Sequence, residues 1–193
     1  MVNIGYRKGK KPFVSYTLFA FSQLEIARLL AACDNPADHI MILLAYRYGF
    51  RRDDLAKVKL GNIDFVNSTL TFYDHKKNKD RTIPIEDDVL SELKRYKSTL
   101  PKKRIYLLPF NDPSTLWVHL QDRCAAAGIP VPPGRTGRPF HSLRGTCVKF
   151  RQAQGWTVSQ VAALIGDEPE TVLKHYATVT NEELSEKMKG ATA

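Results

Sequence analysis

The chain is short of everything that would staple or anchor it. Only three cysteines occur in 193 residues, and Cys33, Cys124 and Cys147 are too widely spaced for a disulfide framework or a CxxC metal signature. They are expected as buried or neutral thiols in a reducing cytosol. No apolar run approaches the length of about 20 residues that spans a membrane, and the basic N-terminus has no signal-peptide core. Secretion and membrane insertion are therefore not expected. Internal repeats and low-complexity tracts are also missing, and a chain of this length suits one domain with its own core. Acids are missing from two stretches. Arg7, Lys8, Lys10 and Lys11 have none among them, and Arg135, Arg138, Arg144, Lys149 and Arg151 share a second acid-free run.

What is present in excess is positive charge. Twenty-nine Lys and Arg against twenty Asp and Glu leave +9. Such a surface attracts polyanions, nucleic acid first and anionic membrane second. From Asp167 onward the balance reverses, with Glu168, Glu170, Glu182, Glu183 and Glu186.

The periodicities predict a mostly helical α+β domain. Residues 1–20 mix basic and aromatic residues without a period and read as an arm or linker, leaving 21–193 as the domain. Ser22-Gln-Leu-Glu25 is a capping box, followed by a helical stripe to about Cys33. Asn35-Pro36 opens a second helix, apolar nearly all round from Ile40 to Tyr48, which Gly49 ends. A short helix from Arg52 to about Val58 follows. Ile63 and Phe65, then Leu70 and Phe72, alternate around Asn67-Ser68 as a hairpin. A third strand, Arg81 to Ile85, follows a lysine-rich turn and completes a small three-stranded antiparallel sheet. Helices are expected around Val89–Leu93, at 115–127, 141–154, 157–165 and 168–176, with a short one near 181–189. Residues 128–139, rich in Pro and Gly, form a loop carrying Arg135 and Arg138.

Four segments stand out. Tyr48-Gly-Phe-Arg51-Arg-Asp-Asp54-Leu puts an arginine just past a helix-ending glycine. His75-Lys76-Lys77-Asn-Lys79-Asp-Arg81 is the turn between two strands. His141-Ser-Leu-Arg144 places two polar residues on one helical face. Ile165-Gly166-Asp167 is followed nine residues later by Tyr176. Each alone has an ordinary explanation: a helix C-cap, a solvated turn, a cap beside a surface arginine, a half-buried core tyrosine.

In order and spacing, these segments resemble the catalytic domain of the tyrosine recombinase (phage integrase) family, from about Ser22 to Tyr176. The family's TGLR-x-x-E-L box reads here as YGFRRDDL, its GKGNKER-x-x-P turn as HKKNKDRTIP, and its H-x-L-R box as His141 to Arg144. The resemblance implies Arg51, Lys76, His141, Arg144 and Tyr176 as the catalytic set. Lys77, Lys79, Arg81, Arg135 and Arg138 are the expected DNA contacts.

The chemistry asks for these residue types. Two guanidiniums can clamp the non-bridging oxygens of a phosphodiester as charge grows on them. A tyrosine hydroxyl attacks once a neighbour takes its proton, and leaves again in the reverse step. A lysine on a turn can protonate the departing 5′-oxygen, and His141 can accept the tyrosine proton or hold the phosphate. No metal and no cofactor are expected. Asp54, three residues past Arg51, either orients that arginine or is a helix-start carboxylate.

Two positions depart from the family. Asp167 stands where a His or Trp donor is usual, and a carboxylate there repels a phosphate; its expected role is a helix N-cap in Asp167-Glu-Pro-Glu170. Gly145 stands where many members carry a second histidine. Only about 20 residues precede the segment that carries the resemblance, where the family usually has an N-terminal helical domain, so the chain is expected to be either a fragment or a minimal recombinase.

The resemblance implies site-specific recombination or integration through a 3′-phosphotyrosyl link. It further implies double-stranded DNA as partner, four protomers on two sites exchanging the segment after Tyr176, and accessory DNA-bending proteins. A cytoplasmic, nucleoid-associated protein of bacterial or phage origin is expected. Two alternatives keep the fold: a DNA-binding module without catalysis, and type IB topoisomerase-like relaxation.

Overall fold

The helix expected to be apolar nearly all round is α2 (Pro36–Tyr48), and the domain is assembled on it. The structure, a computed structural model, describes residues 20–130 and 139–176 together with Leu184, Ser185, Met188 and Lys189. Asn35 starts α2 by accepting the Asp38 N–H at 2.9 Å, with Pro36 in the first turn where a missing donor costs nothing. Ile40, Met41, Ile42, Leu44 and Ala45 are all buried along it. Around α2 pack α1 (Gln23–Ala31), the short α3 (Arg52–Ala56), α4 (Asp87–Thr99), α5 (Pro113–Ala126) and α6 (Pro139–Ala153). The expected capping box is formed, Ser22 and Glu25 closing the first turn of α1 reciprocally.

A second, smaller cluster forms where α7 (Val158–Ile165) and α8 (Pro169–Tyr176) meet the outer face of α6. Cys147 and Val148 of α6, Val161, Ala162 and Ile165 of α7, and Val172 and Tyr176 of α8 make its core. Tyr176 is thus fixed by packing.

The sheet is the expected antiparallel meander of β1 (Ile63–Asp64), β2 (Thr69–Asp74) and β3 (Lys79–Pro84). The first strand is shorter than the alternation predicts. Asp64 accepts the N–H groups of Val66 and Asn67, both at 2.9 Å, which turns the chain before Phe65 can join. Along β2 the inward positions are Leu70, Phe72 and Asp74. The third of these is a buried carboxylate next to the lysine-rich turn.

The cysteines behave as expected of inert thiols. Cys124 and Cys147 are buried and Cys33 half-buried, and burial pushes all three up, to about 11, 12 and 12 respectively. Among the described residues no helix is long and apolar enough to cross a membrane. Of the helix expected near 181–189, Leu184, Ser185, Met188 and Lys189 are helical. The arm up to residue 19 and the segment 131–138, with Arg135 and Arg138, lie outside the described residues.

Candidate active site

Three turns bring the singled-out residues together. The first follows α2. Gly49 takes φ 65, and a Cβ there would stand 2.7 Å from Ile165 Cγ2, so both conformation and space ask for glycine. Phe50 is buried against Phe72 with ring centroids 4.5 Å apart. That anchor sends Arg51, the residue before α3, toward the sheet and the start of α8.

The second turn joins β2 to β3. Asp74 ends β2 with its side chain fully buried, and its Oδ1 accepts the backbone N–H groups of Lys76 and Lys77, both at 3.0 Å. The same carboxylate lies 3.4 Å from Arg51 Nη1 and 3.5 Å from Arg81 Nη1. Burial alone would raise the Asp74 carboxyl, but the donated N–H groups, Arg51 and Arg81 hold it below the usual carboxylate range. Asp54 does for His75 what Asp74 does for Lys76. Its buried Oδ1 accepts the His75 N–H at 3.1 Å and lies 3.0 Å from Nδ1, while Oδ2 is 3.7 Å from Arg51 Nη1. Asp54 thus sits in the first turn of α3, within ion-pair distance of Arg51, and also holds the turn that carries His75.

The third turn links α7 to α8. Gly166 caps α7 at φ 73, and Asp167 follows, 7% exposed. Its Oδ1 is 2.7 Å from Arg51 Nη2 and 2.8 Å from Lys76 Nζ; its Oδ2 is 2.6 Å from Arg144 Nη2. The helix-start reading of Asp167 is thereby corrected. Pro169 is the first residue of α8, Glu168 precedes it and accepts the Thr171 and Val172 N–H groups through its carbonyl, and the Asp167 carboxylate faces the cations instead. Burial would raise its pKa, yet Arg144, Lys76 and Arg51 hold it far below the ordinary range.

Arg144 is buried to 2% on α6, one turn beyond the half-buried His141. It donates to the Gly49 carbonyl and to Asp167, and also bonds the Tyr176 hydroxyl. Burial raises the Tyr176 phenol above its ordinary value, and the nearby guanidinium of Arg144 works against that rise. A neutral phenol held by a buried arginine needs a base before it can attack.

Arg51, Lys76, Arg144 and Tyr176 thus meet around one point. Lys76 is the member open to solvent, its side chain 56% exposed, and Arg51 is 15% exposed. The basic residues expected on DNA divide. Lys77 pairs with Glu168 at 2.6 Å, and Lys79 is exposed at the start of β3. Arg81 is only 12% exposed and donates to the Ala163 and Leu164 carbonyls at 3.0 and 2.9 Å, locking the hairpin onto the end of α7. Sequence reasoning missed Asp74. Its signal was an acid in the inward phase of an alternating strand, directly before the turn that carries Lys76.

A helical domain with a small antiparallel sheet, gathering two arginines, a lysine and a tyrosine from four turns and helices, is the architecture of a recombinase catalytic domain. The chain matches the phage integrase family over residues 20–183 and belongs to that family. It is 28% identical over 182 residues to the tyrosine recombinase XerA of Pyrococcus furiosus, covering 89% of this chain and 61% of that protein. It is 29% identical over 173 residues to the integrase of Escherichia phage P2, covering 88% of this chain and 45% of that one. The chain thus spans about three-fifths or less of the length of these relatives. Among solved structures it resembles the XerA recombinase, with TM-score 0.75 at 20% identity over 90% of this chain and 65% of that one. The bacteriophage HP1 integrase catalytic domain gives TM-score 0.63 at 25% identity over 88% and 93%.

Proposed function

We propose that this domain performs site-specific DNA strand transfer through a covalent phosphotyrosine intermediate. The observation that carries the reading is the convergence of Arg51, Lys76 and Arg144 on one anionic centre beside the Tyr176 hydroxyl. Arg51 and Arg144 hold the non-bridging oxygens of the scissile phosphate, with His141 assisting from the turn before Arg144. The Tyr176 oxygen bonds to phosphorus, its proton passing to a base at the site. The bond to the 5′-oxygen breaks, and that oxygen takes a proton from the Lys76 ammonium and leaves as a hydroxyl. The charge the transition state needs comes from the guanidiniums.

Double-stranded DNA as the partner is supported by the +9 charge and by family membership. Assembly into a tetramer is supported by a fold neighbour, the lambda integrase tetramer bound to a Holliday junction, at TM-score 0.67.

The test is covalent trapping. Pooled nicked duplexes from the native flanking locus are incubated with wild-type protein and with Tyr176→Phe, then separated on denaturing gels. An adduct from the wild type that vanishes in Tyr176→Phe is the expected result. One observation favours a second reading, a DNA-binding module without strand transfer: Asp167 already fills the centre of the cation cluster. DNA binding without adduct in either protein would favour that module and sink the first reading.

A further inference from the structure

We propose that Asp167 is the internal counterion of the phosphate clamp. Its carboxylate stands where the scissile phosphodiester binds, keeps Arg51, Lys76 and Arg144 aimed at one point in the DNA-free protein, and is displaced when the phosphodiester arrives. This rests on the strand-transfer reading of the site and adds the residue that holds the clamp ready and closed.

Both carboxylate oxygens are engaged, Oδ1 by Arg51 and Lys76 at 2.7 and 2.8 Å and Oδ2 by Arg144 at 2.6 Å. A phosphodiester offers two non-bridging oxygens to the same kinds of donor. Asp167 occupies the Arg51 Nη2, Lys76 Nζ and Arg144 Nη2 donors that a phosphodiester at the same point would use, and two anions at one point repel. One anion must leave before the other is seated.

Protonation is disfavoured, since Arg144, Lys76 and Arg51 hold the carboxyl well below its ordinary range against the effect of burial. Exchange for a competing anion remains. The mounting of Asp167 suits exchange. It lies in the connection between α7 and α8, and its neighbour Glu168 pairs with Lys77 at 2.6 Å. Two consecutive acids therefore face two consecutive lysines, latching the hairpin turn to this connection through one buried and one exposed contact. The exposed contact, with Glu168 66% exposed, is weak and screened by salt. Upstream the connection is fixed. At Gly166 an added Cβ would stand 2.0 Å from Arg81 Nη1, and Arg81 in turn holds the α7 carbonyls. The Asp167 N–H donates to the Ala162 carbonyl at 3.1 Å and the Glu168 carbonyl accepts from Thr171 and Val172, so release is a swing of the Asp167 side chain and not of the backbone.

The clamp keeps its shape once Asp167 has gone. Arg51 retains Asp54 and Asp74, Arg144 retains the Gly49 carbonyl and Tyr176, and the Lys76 backbone remains on Asp74. The cations are then short of one negative charge, which the phosphodiester supplies.

The test uses the full chain with inorganic phosphate as the probe, followed by calorimetric titration and thermal denaturation. Asp167→Asn keeps the shape and removes the charge. It is expected to bind phosphate at least about 10-fold more tightly than wild type, the order expected when one competing charged contact is removed. Should the variant unfold in plain buffer because three cations lose their counterion, phosphate is expected to restore its folding. Equal phosphate affinity in the two proteins, or a variant whose melting temperature phosphate does not raise, overturns the proposal. Trapping on nicked duplexes separates this from the underlying reading. A gain in phosphate affinity with no adduct from any protein keeps the counterion and removes strand transfer. Adducts from wild type with no gain in Asp167→Asn keep strand transfer and remove the counterion.

Discussion

Two carboxylates in this fold each gather guanidiniums, and their surroundings give the two clusters different roles. Glu86, immediately before α4, takes Arg47 of α2 at 2.9 Å and Arg151 of α6 at 2.9 Å. Arg151 also donates to the Arg47 carbonyl at 3.0 Å, and the Glu86 N–H donates to the Tyr48 hydroxyl at 2.9 Å. Every partner there belongs to a packed core helix, and the cluster joins α2, α4 and α6. Asp167 takes the same chemistry onto a connection, with one cation on a hairpin turn that is largely in water. An ion cluster locked among helices specifies how they pack. One mounted on turns can exchange its anion, and since the Asp167 side chain is 4% exposed and that of Glu86 35%, the mounting and not the burial makes the difference.

The sharpest break between the two is a pair of variants. Arg144→Lys replaces a planar donor that engages Asp167, Gly49 and Tyr176 at once by a point charge. Its trapping rate is expected to fall on the order of 10²–10³-fold, with DNA retention on native gels little changed. Glu86→Ala leaves Arg151, 3% exposed, without its carboxylate. It is expected to lose about 3 kcal/mol in urea denaturation, with adduct formation per folded molecule unchanged. If Glu86→Ala slowed trapping as much as Arg144→Lys, the separation of structural from functional cluster would fail.

Asp74 stands between the two types, fully buried like the first and aimed at the second. Asp74→Asn substitutes a donor-bearing amide where the site needs an acceptor for Arg51, Arg81 and two backbone N–H groups. Lys76 and Arg51 then shift together. Trapping is expected to slow on the order of 10-fold to 100-fold, as misplacement by about an ångström does. If Lys76 is the proton donor, as proposed, the rate with a 5′-leaving group that needs none, such as a thiolate in a bridging phosphorothiolate duplex, is expected to fall less. An equal fall with both substrates would make Asp74 a fold residue only.

Much of this was legible in the chain, and the reasons differ by element. The capping box at Ser22, the Asn35-Pro36 start and the glycine ends are local chemistry, so each is readable in a few letters. That Arg51, Lys76, Arg144 and Tyr176 would meet was readable because their spacing matches a family. What spacing could not supply is direction. Asp167 in Asp-Glu-Pro-Glu has the composition of a helix start, and only the approach of α2, α6 and the hairpin to one connection turns its carboxylate inward. Arg81 lies among lysines that face water, yet the strand's alternation and the open carbonyls of α7 turn it toward the protein. Asp74 was hidden by its surroundings in a different way, since a lone acid ending a strand usually lies in a solvated turn.

The smallest expected effect is the acid limb of stability. Asp167, Asp74 and Glu86 all titrate below their ordinary values in the fold. In the unfolded chain such carboxyls take up protons near about pH 4, while the folded protein takes them up only at lower pH. Between the two the unfolded state binds more protons, so stability falls as pH falls, being fully present above about pH 5. Each group contributes at most about 1.4 kcal/mol per pH unit, and Glu86 less because water screens it. Urea denaturation from pH 7 to pH 3 is expected to show a shallower acid limb in Asp167→Asn and in Glu86→Gln. The two differ when an anion is added. Saturating sulfate, which does not titrate in this range, displaces Asp167 into water and returns its carboxyl to an ordinary value. The wild-type acid limb is therefore expected to flatten in sulfate by the amount that Asp167→Asn removes, and Glu86→Gln to flatten by the same amount as wild type. An acid limb that sulfate leaves unchanged would mean Asp167 is as firmly held as Glu86, and the contrast between an exchangeable and a locked cluster would be lost.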